Sequence, residues 1–359
     1  MSKTTTMPDG LELHDPDWHY DKFVEFTDLK YQLGEPSPHL AIVGHMVRNS
    51  NIEDKLWLLG CYGATYCLPS AQVIWEHWSL DDVLAEPDEF NNWLVGNWAG
   101  IITRTERRCV RTPPKMFRCL STYAKWARDD YPKLPKLQAD SAKDYYDKVW
   151  KSLTDGVYSF GRYISIRVIE GLRRYCDVPA ILYDVRSVGG WSPKRCMMYL
   201  HPEHIETLSI DNAAGNALMD ELVEDLILDI KEELPYVDSY RIAAMLCEYK
   251  GAFEKRHQYP GWTLDQEPLL YDKTVHYWGD DINKDMLWDA RKAVFPWQVL
   301  GEIGSRWYGT RWDLAACLRD HDYNWSDIKW DYDATEDLAN PVVWTDERKT
   351  QWVESHSMK

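Results

Sequence analysis

Apolar residues along this chain recur three and four positions apart, the period of an amphipathic helix, and seldom alternate as they would in a strand. One of the clearest runs follows Ser50, which with Glu53 predicts a capping box; Ile52, Leu56, Leu59 and Gly63 then share a face that Trp57 and Cys61 broaden. Pro69 predicts the start of a short helix carrying Val73, Ile74, Trp75 and Trp78. Further helices are expected over 88–99, 115–129 and 140–152. Phe160, Ile164, Val168 and Leu172, four residues apart, make one apolar stripe, and the other face of that helix carries Arg162, Arg167, Glu170 and Arg174. Glu170 and Arg174 are ordered for an intrahelical pair, which gives Glu170 a structural role. Later helices are predicted over 203–208, 216–232, 238–250, 283–292 and 310–319. Nothing demands a sizeable sheet, so the expected class is all-α and multi-helical.

No internal repeat or Gly/Ser linker divides the chain. Residues 1–330 read as one helical unit with a lobe break near 132–140, at Pro132 and Pro135, and 331–359 as an acidic peripheral tail. Nineteen tryptophans and 22 tyrosines place aromatic packing at the centre of the core. Trp57, Tyr62, Tyr66 and Trp75 read as part of it; alternatively Tyr62 and Tyr66, one turn apart, present their hydroxyls to a pocket.

The net charge of −17 argues against nonspecific attraction to nucleic acid or an anionic membrane, so any nucleic-acid role needs a local basic surface. Residues 103–128 offer one. Arg104, Arg107, Arg108, Arg111, Lys115 and Arg118, followed by Lys125 and Arg128, face only Glu106 there. With Phe117, Tyr123 and Trp126 interleaved, they suit phosphate contacts and base stacking; equally, they suit neutralisation of an acidic segment inside the fold. Thr112-Pro113-Pro114 predicts a helix start whose amino end favours an anion. The acidic segments, 211–238 and 320–347, read as solvated faces. Eight dispersed cysteines without a Cys-x-x-Cys pair read as reduced and mostly buried. The amino-terminal segment has no apolar signal core and no run is long enough to span a bilayer, which predicts a cytoplasmic protein without a membrane partner.

Several large enzyme classes lose support, because the chain lacks a Walker loop, a Gly-x-Gly-x-x-Gly after a strand, and a Gly-x-Ser-x-Gly elbow. His201-x-x-His204 with Glu203 matches no standard zinc spacing, and no metal ligand is assigned. The densest chemistry lies in Cys247–Asp265, CEYKGAFEKRHQYPGWTLD. A helix over Ile242, Met245, Leu246 and Tyr249 is expected to stop at Gly251, and Tyr259-Pro260-Gly261 then turns the chain so that Lys250, Arg256, Tyr259 and Asp265 gather. Two cations beside an acid suit an anionic substrate; the plain alternative is a solvated loop with an Asp265–Arg256 surface pair.

Three segments, NIEDKLWLLGCYGATYCLPSAQVIWEHW, YSFGRYISIRVIEGLRRY and CEYKGAFEKRHQYPGWTLD, together resemble the α-glutamyl/putrescinyl thymine pyrophosphorylase group of bacteriophage enzymes, the amino acid:DNA transferases. The likeness covers about residues 20–300 and consists of helix order and aromatic style more than an invariant motif. It implies a DNA glycosylase-like helical fold and replacement of the pyrophosphate of 5-pyrophosphoryloxymethyl-uracil in DNA by the amine of an amino acid such as glycine, or of a polyamine. Under that implication Lys250 and Arg256, with Arg162, would meet the leaving group, and Asp265 or Glu248 would take the ammonium proton. Tyr259 or Trp262 would receive a flipped base, Cys247 is the candidate for transient attack on the ring, and the basic segment would hold the DNA backbone. No cofactor is implied beyond Mg2+ carried by the substrate pyrophosphate. The alternatives are a glycosylase-like base-excision or nucleotide-modifying enzyme of the same fold, and a non-catalytic phage protein-binding module.

Overall fold

The computed structural model describes residues 5–13, 15–32, 38–181, 191–237, 239–255, 270–271 and 273–294. In chain order its α-helices begin with α1 (Pro16–Gln32), α2 (Pro38–Met46), α3 (Ile52–Thr65), α4 (Leu68–His77), α5 (Leu80–Ala85), α6 (Pro87–Gly96) and α7 (Pro113–Asp129). They continue with α8 (Ala142–Gly156), α9 (Arg162–Tyr175), α10 (Trp191–Leu200), α11 (Ile205–Leu208), α12 (Ala213–Glu233), α13 (Ser239–Lys255) and α14 (Lys284–Val294). Among the described residues the extended pairing is one short antiparallel contact of Thr5–Thr6 with Glu12–Leu13. The chain is all-α and multi-helical.

The described residues fall into two compact units, 5–32 with 191–255 and 38–181 with 270–294. Residues 132–140, where a lobe break was expected, lie inside the second unit. Tyr131–Lys136 forms a 3-10 turn there, tied down by the Tyr145 hydroxyl donating to Leu134 O at 2.9 Å. The tail 331–359 and the helix expected over 310–319 lie outside the described residues.

The second unit is organised on α3, which is buried continuously from Leu56 to Thr65 and is therefore apolar on every side. Its glycines set how closely neighbours approach. A Cβ on Gly60 would fall 2.1 Å from Tyr123 Cε1 of α7, and one on Gly63 would fall 2.8 Å from Val168 Cγ2 of α9. The Tyr123 hydroxyl then reaches across to donate to Leu56 O at 2.9 Å. Asn51, not a Ser50–Glu53 box, caps α3: its side chain accepts from Asp54 N at 2.9 Å. A full capping box stands instead at α5, between Ser79 and Asp82. Pro69 sits in the first turn of α4, and Thr112-Pro113-Pro114 opens α7, as their sequence signals predict. On α9 the stripe of Phe160, Ile164, Val168 and Leu172 is buried, but so are Arg167 and Glu170 on the other face.

In the first unit α10 packs on α13, and both pack on α1. Gly251 does not stop α13, which runs on to Lys255, because Ala252 and Phe253 continue the buried stripe of Ile242, Met245, Leu246 and Tyr249.

Candidate functional site

The described part of the Cys247–Asp265 segment is the end of α13, and its charged residues turn to internal partners. Lys250 Nζ lies 3.5 Å from Glu254, whose carboxylate also accepts from Arg195 Nε and the Tyr199 hydroxyl. Arg195 also pairs with Asp9 at 2.7 Å. Burial works against the Arg195 charge, but hydrogen bonds to Glu254 and the charge of that carboxylate raise it well above its usual range. Glu248 pairs with Lys30 at 2.9 Å, the lysine side chain being 1% exposed. Cys247 is half-buried beside Cys196, whose thiol burial pushes up, with the Cys247 charge adding to the shift. Arg256, Tyr259, Trp262 and Asp265 lie outside the described residues, as does the side chain of Arg162, the first residue of α9.

The basic segment separates into buried and exposed parts. Arg107 is 2% exposed, so it does not contact DNA as the sequence suggested. Its Nε donates to Ala64 O at 3.0 Å and its Nη1 to Ser159 O at 2.8 Å, while Nη2 meets Cys119 Sγ at 3.4 Å. Ala64 lies in the last turn of α3, so the guanidinium satisfies a carbonyl that the helix end leaves over. The Cys119 thiol is pushed up to about 12 by burial, against the pull of Arg107. Tyr123 and Trp126 are buried too, and neither is available to stack on a base; Phe117 is half-buried against Phe90. Arg108, Arg111, Lys115 and Arg118 are exposed around the amino end of α7, Arg118 lying 4.2 Å over the Tyr158 ring. Among the described residues these four make no ion pair, whereas Lys125 pairs with Asp129, and Arg128 with Asp81 and Glu53.

Arg104 joins a different group. Its guanidinium lies 5.9 Å over the ring of Tyr66, which caps α3 in the left-handed region at φ 53°. The Tyr66 hydroxyl meets that of Tyr163 at 2.6 Å, and the Arg167 guanidinium lies 5.5 Å over the Tyr163 ring. Tyr62 stands 5.3 Å from Tyr66, ring to ring, and shares a 2.9 Å hydrogen bond with His39 Nδ1. Burial drives the Tyr62 phenol well up and the neighbouring phenols add to this, while Arg167 and Arg104 oppose it. Both cations therefore act on one neighbourhood. Behind Arg167, Glu170 takes Arg174 at 2.8 Å and Arg167 at 3.5 Å, the intrahelical pairing its spacing predicted. Tyr163 is 37% exposed, so the group opens to solvent there. The sequence reading of Tyr62 and Tyr66 as a pair of hydroxyls one turn apart is the signal that pointed here; the contribution of Tyr163 and Arg167 carried no local mark. A non-glycine residue in a left-handed cap, with a guanidinium 5.9 Å over its ring, is the kind of constraint found at functional sites.

Among the described residues no group of three His, Cys, Asp or Glu side chains is arranged to hold a metal ion, and no helix is long and apolar enough to cross a membrane. No curated protein and no solved structure matches the chain. Residues 37–257, more than half of the chain, match the family described as amino acid:DNA transferase. The chain belongs to that family and is a transferase that moves an amino acid onto DNA.

Proposed function

We propose that the chain acts in bacteriophage DNA hypermodification, replacing the pyrophosphate of a 5-pyrophosphoryloxymethyl-uracil base in DNA with the amine of an amino acid or polyamine. The observation that carries the DNA side of this reading is the exposed quartet Arg108, Arg111, Lys115 and Arg118 in a chain of net charge −17. Cations kept at the surface without carboxylate partners among the described residues supply what phosphodiester binding needs, and α7 directs its amino end into the same place.

The chemistry is a substitution at the exocyclic methylene: the C–O bond to pyrophosphate breaks, a C–N bond to the incoming amine forms, and the resulting ammonium gives up a proton. Charge develops on the departing oxygen and must be met by fixed donors, and the donor amine must be deprotonated to attack. In this reading Asp265 takes the proton, with Glu248 its alternate, and Lys250 and Arg256 supply cations for the departing pyrophosphate. Tyr259 and Trp262 receive the extruded base, and Arg162 and Cys247 are further candidates for substrate binding. Mg2+ enters, if it is required, on the substrate pyrophosphate.

Incubating the pure protein with DNA carrying 5-pyrophosphoryloxymethyl-uracil, together with glycine, other amino acids and putrescine, tests this. After digestion to nucleosides, mass measurement is expected to reveal an amine adduct and to name the donor. Abasic sites in its place would assign base excision, and intact substrate with every donor would assign a binding role.

A further inference from the structure

We propose that Tyr277, with Lys273 one helical turn before it, forms a stacking site for a base of an unpaired DNA strand whose phosphates lie along Arg108, Arg111, Lys115 and Arg118. The inference rests on the reading of those four cations as the DNA contacts, and on geometry for the aromatic site. Tyr277 is 43% exposed, yet its ring has a fixed seat. Gly100 lets that ring lie against the backbone, since a Cβ there would fall 2.3 Å from Tyr277 Cδ1. Trp278, 6% exposed, meets the Tyr277 ring edge-on at 5.2 Å and donates from Nε1 to Gly100 O at 3.0 Å. Trp278 in turn stacks on Trp93 of α6 at 5.6 Å and lies 5.0 Å from the ring of His77 of α4. Core packing accounts for Trp278 but not for Tyr277, an aromatic ring held in place and left open to water.

The surroundings suit a polyanion. Lys273 and Tyr277 are four residues apart in the helical residues 273–278 and so share a face. Lys273 is exposed and makes no ion pair among the described residues. Gly279, left-handed at φ 56°, ends that helical turn, so Asp280 and Asp281 do not continue its face, and Asp280 is taken by Lys284 at 2.5 Å. Ring contacts connect the seat with the basic end of α7: Trp93 lies 6.3 Å from Phe90, and Phe90 lies 6.0 Å from Phe117, which stands between Lys115 and Arg118 in sequence. All of these residues belong to the second unit. In a duplex each base face is closed by its neighbours, whereas an unpaired strand turns a base onto an aromatic ring while its phosphates stay on cations, and any base serves because each has a π face. Extrusion of a target base opens the stack beside it in the same way.

Fluorescence anisotropy on the full chain tests the site with three labelled probes of equal length: an oligo-dT strand, a duplex, and a strand of abasic sites. Wild type is expected to prefer the dT strand to the abasic one. Tyr277→Ala is expected to weaken dT binding about tenfold, the loss of one stacked base, and to leave the duplex and the abasic strand unchanged. Tyr277→Phe is expected to keep wild-type affinity, because the ring and not the hydroxyl stacks. Lys273→Gln is expected to lower the salt slope on the dT strand by about 0.7. Circular dichroism melts identify any variant that has lost its fold, and the surface change Lys273→Gln keeps the test open if Tyr277→Ala does. Undiminished dT binding by Tyr277→Ala would overturn the site, and a changed oligomeric state in that variant would make the ring a contact between copies of the chain instead. An equal loss on the abasic strand would also overturn it, as would full dT binding after all four α7 cations are changed to Gln. Binding of dT that depends on Tyr277, in a protein that leaves the modified DNA unconverted, would sink the proposed reaction and keep this site. Conversion by wild type, with dT binding indifferent to Tyr277→Ala, would do the opposite.

Discussion

Arg107 and Arg111 are one helical turn apart in sequence and carry the same charge, but their surroundings give them different work. Arg107 is enclosed and donates to the backbone carbonyls of Ala64, which is buried, and Ser159, which is part-buried. Replacing it with Met leaves those acceptors without that partner and is expected to lower unfolding free energy by about 3 kcal/mol in urea titrations. Arg111 is exposed, and Arg111→Gln is expected to leave stability unchanged while reducing the salt slope of DNA binding by roughly one unit. A matched loss of stability from both substitutions would refute this division. Glu254 follows the same logic as Arg107. With Arg195 9% exposed and held by that carboxylate, Glu254→Gln leaves its guanidinium with the exposed Asp9 and is expected to cost about 2 kcal/mol. A conservative change of the same type at exposed Asp155, paired with Lys151, is expected to have little effect.

Among the elements, α3 and α5 show how spacing and close approach divide the work of specifying the fold. Gly60→Ala drives a methyl group into the Tyr123 ring and is expected to destabilise by about 2 to 3 kcal/mol, read as a lowered melting temperature with unchanged helix content. At α5, the Asp82 carboxyl is held below its usual 3.8 by hydrogen bonds from the Ser79 hydroxyl and backbone N–H. A folded-state pKa that is depressed stabilises above the unfolded value and is lost as pH falls through the folded one. Ser79→Ala is therefore expected to cost about 1 kcal/mol at neutral pH and progressively less below the ordinary carboxylate range. An equal cost at both pH values would show that the cap does not depend on the carboxylate. Helix order was legible because apolar period, proline at a first turn and the Phe160–Leu172 stripe are local signals. The end of α13 was misread, since whether Gly251 stops a helix depends on what Ala252 and Phe253 can be buried against. The second face of α9 was misread for the same reason: Arg167 and Glu170 look like a solvated edge until the surrounding helices enclose them. Of the candidate site, the spacing of Tyr62 and Tyr66 was readable, but the contact of Tyr66 with Tyr163 joins residues 97 apart and has no local trace.

For the whole molecule, the difficulty is that a chain of net charge −17 belongs to a family that acts on DNA. Uniform acidity repels the phosphate backbone, so productive binding has to come from segregation of charge. The structure sharpens that segregation relative to the sequence, because Lys125 and Arg128 are paired with carboxylates and Arg107 is internal, which leaves Arg108, Arg111, Lys115 and Arg118 as an exposed group. Each phosphate neutralised contributes about −0.9 to the slope of log K against log salt, so four contacts set a slope near −3 to −4 for duplex DNA. Changing all four residues to Gln is expected to abolish binding at low salt without moving the melting temperature, since none of them is buried. A slope that survived the four substitutions would place the DNA elsewhere on the chain. Loss of binding together with loss of the amine adduct would tie the modification to this surface.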